Sequence, residues 1–263
     1  MGWRMNFPQV LSALRHTDGA AAASIPESWM QGRTSYGGFS SALALAVAQK
    51  LAADLPPLRS ATINFVGPLA GEVAITARFL RRGRNASWVA AEIVGDGGVG
   101  LTATFVFMGP VESKLHLSNV PPPAGWVEPA DAVPVPTDRP SPGFTQFFER
   151  RFATPRTEEK RAELNWWVRP RDAAGLDPMV EMLLVADALP PGVMPLMGGW
   201  SPVSSMTWLI NLLTPAPVSR DGWWLLRAAA NYAENGCSSQ DMAIWNADGE
   251  AIAAGMQSIA IFG

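Results

Sequence analysis

The chain predicts an α+β fold built twice: a buried helix followed by a run of antiparallel strands, then the same order again. Three observations carry this. An apolar run at residues 39–55 leads into the strand-like Ser60-Ala61-Thr62-Ile63-Asn64-Phe65. A second apolar run at 177–189 leads into Ser205-Met206-Thr207-Trp208-Leu209-Ile210. Each half closes on a similar tail, Thr104-Phe105-Val106-Phe107 and Ile259-Ala260-Ile261-Phe262. Two tandem antiparallel sheets, each wrapped around its own long helix, leave a cleft between the copies, where ligands bind.

The first half, residues 1–110, opens with a loop or short helix over residues 1–19 and a strand at 20–25. Gly37-Gly38 stands before the apolar run and frees the backbone to turn tightly into a helix. Residues 39–53 are apolar on nearly every side, so that helix is enclosed rather than surface-lying. Pro56-Pro57 is expected to end it. Strands follow at 59–65, 71–82, 87–94 and 101–108. In the second of these, Val73, Ile75 and Ala77 share one face. Gly95-Asp96-Gly97-Gly98 is a hairpin turn between the last two.

Residues 111–142 are a connector. Pro121-Pro122-Pro123, Pro129, Pro134, Pro136, Pro140 and Pro142 rule out a helix or a central strand there. The second half, residues 143–263, has its first strand at 163–169 with Trp166 and Trp167. Asp177-Pro178 starts its helix, proline being well placed at the first helical position. The helix stops at Pro190-Pro191-Gly192. Strands are expected at 203–212, 223–232, 239–245 and 251–261, with Asn246-Ala247-Asp248-Gly249 turning between the last two.

Composition narrows the function classes. Hydrophobic residues make up 48 % of the 263, enough for a substantial core. The net charge of −3, with no block of five like charges, argues against a dedicated nucleic-acid or anionic-membrane surface. The single cysteine, Cys237, excludes an intrachain disulfide and a cysteine-based zinc cage, and fits a reducing cytoplasm. The start, Met1-Gly2-Trp3-Arg4-Met5-Asn6-Phe7-Pro8, does not read as a signal peptide. The longest apolar run is too short and too polar at its ends to span a bilayer. Eleven tryptophans are read first as core packing.

Familiar catalytic signatures are missing. No Gly-x-Gly-x-x-Gly, Walker-type or Gly-x-Ser-x-Gly motif is present. The two histidines, His16 and His116, lie outside the strand and buried-helix segments. A serine triad, a metal cage and a His-Asp dehydratase pair fall together. What remains is a carboxylate in an apolar setting: Asp187 in Leu183-Leu184-Val185-Ala186-Asp187-Ala188-Leu189. A buried aspartate is costly unless paired. Asp187 therefore either reaches solvent or caps a loop at the helix end, or is a functional carboxylate facing the cleft. Gln257 is a second polar residue in a small, apolar strand, where alternation alone would let it face outward. Ser201, Ser204, Ser205 and Thr207 form a hydroxyl cluster in the strand after the second helix.

These segments, in order, resemble the acyl-CoA thioesterases with a double hotdog fold, the type II family. The residues are Trp29, Gly37-Gly38, Asn64-Phe65-Val66-Gly67-Pro68-Leu69 and Leu80-Arg81-Arg82-Gly83-Arg84-Asn85 in the first half. In the second they are Trp167-Val168-Arg169, Asp177-Pro178, Ala186-Asp187-Ala188-Leu189, Trp224-Leu225-Leu226, Asp248-Gly249 and Gln257. The likeness spans residues 25–263 apart from the connector.

The resemblance implies hydrolysis of acyl-CoA thioesters to free acid and CoA, without metal or organic cofactor. In that family an aspartate, a glutamine and a Ser or Thr hold one water that attacks the thioester carbonyl. Asp187 and Gln257 match the first two positions. Backbone N–H groups near Gly37 and Gly38 are candidates for holding the oxyanion. The family's strand often reads Thr-x-Asp, which here falls on Val203 and Ser205. Ser205 and Ser204 are alternatives for the hydroxyl, since adjacent strand residues face opposite sides. The implied partner is an acyl-CoA, with a homo-oligomer left open. A non-catalytic acyl or CoA binding protein is the rival reading, and a hotdog dehydratase is disfavoured by the missing histidine.

Overall fold

In the computed structural model, residues 4–17, 19–138, 141–155, 157–199 and 201–262 are described. Met1-Gly2-Trp3 at the start and Pro140 in the connector lie outside them. The chain begins with helix α1 (Phe7–Ser12), where Asn6 and Gln9 cap one another reciprocally. Strands β1 (Arg15–Thr17) and β2 (Ala20–Ile25) follow, then the small hairpin β3 (Met30–Gln31) and β4 (Thr34–Ser35). Helix α2 (Gly37–Gln49) leads to β5 (Leu58–Phe65), β6 (Gly71–Arg82), β7 (Ala86–Gly95) and β8 (Gly98–Met108). The second half contributes β9 (Val133–Pro134), β10 (Phe148–Phe152), β11 (Glu163–Pro170) and helix α3 (Pro178–Ala186). It ends with β12 (Val203–Leu212), β13 (Trp224–Glu234), β14 (Cys237–Trp245) and β15 (Ala251–Ile261).

The two expected sheets form one sheet of 13 strands, in the order β1-β2-β6-β7-β8-β5-β12-β15-β14-β13-β11-β10-β9. All its pairs are antiparallel, and β5 joins β12 at the seam. Outward from the seam the two halves read alike: β5-β8-β7-β6-β2 on one side, β12-β15-β14-β13-β11 on the other. The seam register has the same symmetry. Ile63 faces Trp208, flanked by Asn64 opposite Thr207 and Thr62 opposite Leu209.

Alternation decides what each strand buries. Val73, Ile75 and Ala77 of β6 all point into the core, as their spacing predicts. The helices lie against that face. Ten residues of α2 are buried, so it is enclosed on most sides. The two helices run antiparallel: Tyr36, just before α2, bonds to Leu184 near the end of α3, while Gln49 Nε2 donates to Asp177 Oδ1 at 3.0 Å at the opposite end.

Several boundaries differ from the sequence expectation. Gly37 and Gly38 are the first two residues of α2 rather than its lead-in. The helix stops at Gln49, well before Pro56-Pro57. The Lys50 and Leu51 N–H groups bond three residues back, tightening the last turn where the buried run ends. Helix α3 is shorter than expected and ends at Ala186, so Asp187 is its C-terminal cap rather than an interior residue. The short strands β1, β9 and β10 toward the two ends of the sheet, and the β3–β4 hairpin, come in addition to the expected ones.

The connector packs on the outer face of the second half. Trp167 Nε1 donates to the Val127 carbonyl at 2.8 Å and Trp245 Nε1 to that of Val120 at 2.7 Å. Trp126 meets the Trp167 ring edge-on. Tryptophan thus closes both sides of this sheet: Trp29 and Trp208 in the main core, Trp167 and Trp245 beneath the connector. No helix among the described residues is long and apolar enough to cross a membrane.

Candidate active site

Asp187 is placed by where α3 runs out of turns. Asp177 caps the helix start, accepting from the Met179 and Val180 N–H groups, and Pro178 needs no acceptor there. After Ala186 the chain bends toward Pro190-Pro191, leaving Asp187 at the helix end with its carboxylate aimed at the start of α2. The contact is close. A methyl group on Gly37 would come within 2.5 Å of Asp187 Oδ2 and within 3.0 Å of the Phe65 ring. One on Gly38 would meet Tyr36 Oη at 2.5 Å and the Leu184 carbonyl oxygen at 2.6 Å. The glycine pair lets the two helix ends touch.

Gln257 comes from β15, opposite Trp208 of β12 on one side and Gln240 of β14 on the other. The next rung on the same face is Ser205, Ile259 and Ser238. Both glutamines are buried, and their amides form a directed chain. The Gly192 N–H donates to Gln240 Oε1 at 2.8 Å, and Gln240 Nε2 donates to Gln257 Oε1 at 3.0 Å. Gln257 Nε2 then donates to Asp187 Oδ1 at 2.8 Å. With its oxygen occupied by Gln240, the Gln257 amide must present its N–H groups to the carboxylate and the cleft.

Burial pushes the Asp187 carboxyl up to about 7, against the opposing pull of donors from Gln257 and the Gly38 backbone. The N-terminal end of α2 carries partial positive charge and favours the anion further. Tyr36 is fully buried and donates to the Leu184 carbonyl at 2.8 Å. Burial, and next the negative Asp187, raise its phenol well above the ordinary tyrosine value. Its ring stacks on Phe144 at 4.0 Å, which fixes the turn that presents Gly37.

Asp187 opens onto a cleft of about 1900 Å³ that Gly37, Ser204, Ser205 and Gln257 also line. The sequence-predicted residues therefore meet in one place. Gly37 lies against Asp187, and the Gly38 N–H beside it favours the ionised carboxylate. The Gly37 N–H has no acceptor among the described residues. Ser205 shares the inner face with Gln257, whereas Ser204, one step back, is exposed. A register shift between Ser205 and Thr207 restores the inward direction for Trp208. Neither serine hydroxyl bonds to Asp187 or Gln257; Ser204 Oγ donates to the Ser205 carbonyl at 3.4 Å. Both histidines are exposed. No cluster of metal-ligating side chains occurs among the described residues.

Sequence reasoning missed Tyr36 and Gln240. Gln240 shares a parity with Ser238, Met242 and Ile244, so a stricter reading of alternation would have turned it inward. Tyr36 carried a weaker signal: one of only two tyrosines, directly before the glycine pair.

Comparison with known proteins follows the same division into halves. Residues 25–108 match the family described as acyl-CoA thioesterase N-terminal domain, and residues 127–261 the acyl-CoA thioesterase C-terminal domain. A search of curated proteins finds no match. Among solved structures, a hot dog fold protein of unknown function from Alicyclobacillus acidocaldarius is 22% identical, with TM-score 0.85 over 98% of both chains. A candidate thioesterase II from Thermobifida fusca is 22% identical, with TM-score 0.83 over 100% of both chains. An acyl-CoA thioesterase II from Mycobacterium marinum is 17% identical, with TM-score 0.75 over 98% of this chain and 99% of the other. At these identities the structures establish the shared hotdog fold.

Proposed function

The chain belongs to the acyl-CoA thioesterase family, and we propose that it hydrolyses acyl-CoA thioesters with a water held between Asp187 and Gln257. The observation that carries this is the Asp187–Gln257 pair at 2.8 Å, opening onto the cleft against the first turn of α2. Asp187 takes a proton from the water as its oxygen attacks the thioester carbonyl carbon. A carboxyl near 7 is well matched to that task, since a substantial fraction is ionised at neutral pH and the anion is basic enough to accept the proton. The carbonyl oxygen becomes an oxyanion and accepts from the Gly37 N–H. As the tetrahedral intermediate collapses, the carbon–sulfur bond breaks and Asp187 returns its proton to the departing thiolate. Gln257 donates to the water oxygen and holds it in line. Ser205, on the same face, is the better placed of the two serines to complete the water site.

Thiol release from a panel of acyl-CoA substrates tests the proposal. Turnover that Asp187→Asn abolishes supports it. Tight acyl-CoA binding without turnover in the wild-type chain would make it a binding protein instead.

A further inference from the structure

Strand β10 alternates in an unusual way. Glu149 and Arg151 point outward: Glu149 accepts from Arg169 Nη2 at 2.8 Å, and Arg151 lies over the Trp223 ring and donates to the Pro129 carbonyl. Phe148, Arg150 and Phe152 take the opposite, core-facing side. Phe148 is buried and meets the Tyr36 ring edge-on, and Phe152 meets Trp166 edge-on. Arg150 stands between them, opposite the fully buried Val168. A guanidinium thus projects from the inner face of the sheet, half-buried, into the cleft that Asp187 lines.

No carboxylate among the described residues neutralises it. Among the described residues Arg150 makes no ion pair, and its side chain makes no hydrogen bond. Two other arginines of the cleft wall are engaged, Arg161 with Glu159 and Arg227 with Glu163. Burial and the nearby Arg171 both work against the Arg150 charge and lower its pKa. The Trp166 ring, 5.9 Å away, is at the outer limit of a cation–π contact and offers no acceptor to the five N–H donors. A half-buried, unpaired fork of this kind matches a planar or tetrahedral oxyanion.

We propose that Arg150 receives an oxyanion carried by the substrate at a distance from its thioester. This rests on the thioester reading only for what the anion is attached to. Phe148 packs on Tyr36, and Tyr36 adjoins Gly37, which touches Asp187. Arg150 is two residues further along the strand, about 6.6 Å beyond that wall. The anion is therefore separate from the reacting carbonyl. Two parts of an acyl-CoA can supply it: a phosphate of the CoA moiety, or a carboxylate at the far end of the acyl chain.

Calorimetric binding separates these sources and requires no turnover. The probes are CoA against pantetheine, which lacks the phosphates, and octanedioate against octanoate. The variants are Arg150→Met, which keeps the stem and removes the fork, and Arg150→Lys, which keeps the charge. Arg150→Met should weaken one anionic probe by roughly ten- to a hundredfold and leave its uncharged or singly charged counterpart within about twofold. Arg150→Lys should fall between, and it decides the matter if Arg150→Met does not fold. A selective loss for CoA assigns the phosphate, and a selective loss for octanedioate assigns the acyl carboxylate. Unchanged binding of all four probes, or an equal loss for all four, overturns the proposal. A chain that binds through Arg150 yet releases no thiol would instead overturn the hydrolysis reading alone.

Discussion

Replacing Asp187 by asparagine should stabilise the protein at alkaline pH while disabling it. The unfolded carboxyl ionises near 3.8 and the folded one near 7. Between those values the folded chain holds a proton that the unfolded chain has released. Wild-type stability therefore falls as pH rises from about 4 to about 7, and levels off above. Ionising the buried group costs about 4 kcal/mol over that window. Asparagine does not titrate and escapes this cost. Its NH₂ replaces one of the two acceptor oxygens, however, and leaves one donor among Gln257 and the Gly38 N–H unmatched, at about 1–2 kcal/mol. The variant should thus be less stable than wild type by no more than about 1 kcal/mol near pH 4.5 and more stable by about 2–3 kcal/mol at pH 8.5. Urea unfolding at four pH values measures this, with unchanged m-values as the control for two-state behaviour. The difference between the two proteins cancels the remaining carboxylates. Turnover should drop by two or more orders of magnitude. Parallel stability curves across this range, or a variant less stable at pH 8.5, would show that the carboxylate is well solvated by its neighbours, and the reasoning would fail.

Two further outcomes concern the same site. Wild-type turnover should climb with pH through about 7 as Asp187 ionises, and Gln240→Leu should move that midpoint upward, because the Gln257 amide is no longer held with its N–H toward the carboxylate. It should also lower kcat roughly tenfold with little change in KM; a pH–rate profile with an unmoved midpoint would reduce Gln240 to packing. Ser205→Ala should slow turnover by about tenfold and Ser204→Ala by less than about twofold, since only Ser205 shares the Gln257 face. The reverse ranking would mean that the local irregularity of β12 turns Ser204 into the cleft during catalysis.

Much of this site was legible because burying polar groups is costly. Asp187 and Gln257 stood out as polar residues in apolar surroundings, and both lie in the cleft. The bounds of β12 and β15 agree with the expected 203–212 and 251–261, since alternation and flanking turns mark both ends. Strand β10 was hidden because Glu149-Arg150-Arg151 breaks any apolar alternation, and a strand one from the end of the sheet, covered only by the two-residue β9, tolerates charge on both faces. The β13–β14 hairpin was placed approximately, but its Asn235-Gly236 turn went unread, although both residues adopt the positive φ that such turns require. Gln240 was lost because its strand was expected to begin at Ser239, after Ser238, its partner on the inner face. Helix α3 ends at Ala186, short of the expected Leu189, and that earlier end makes Asp187 a cap rather than a helix-interior residue.

The antiparallel pairing of α2 and α3 gives the chain two comparable helix junctions and two different uses for them. At one, a glycine pair admits a carboxylate and the junction opens to the cleft. At the other, Asp177 caps α3 and accepts from Gln49, while Pro178 removes the N–H that Gly37 keeps free at the first junction. In a dimer of identical single-copy chains each substitution would appear at both junctions, so neither could become a mere fastening without disabling the other. Joining the copies in one polypeptide lifts that restriction. One junction is released to hold the helices together, and the other keeps the crowded, charge-burying geometry that chemistry demands.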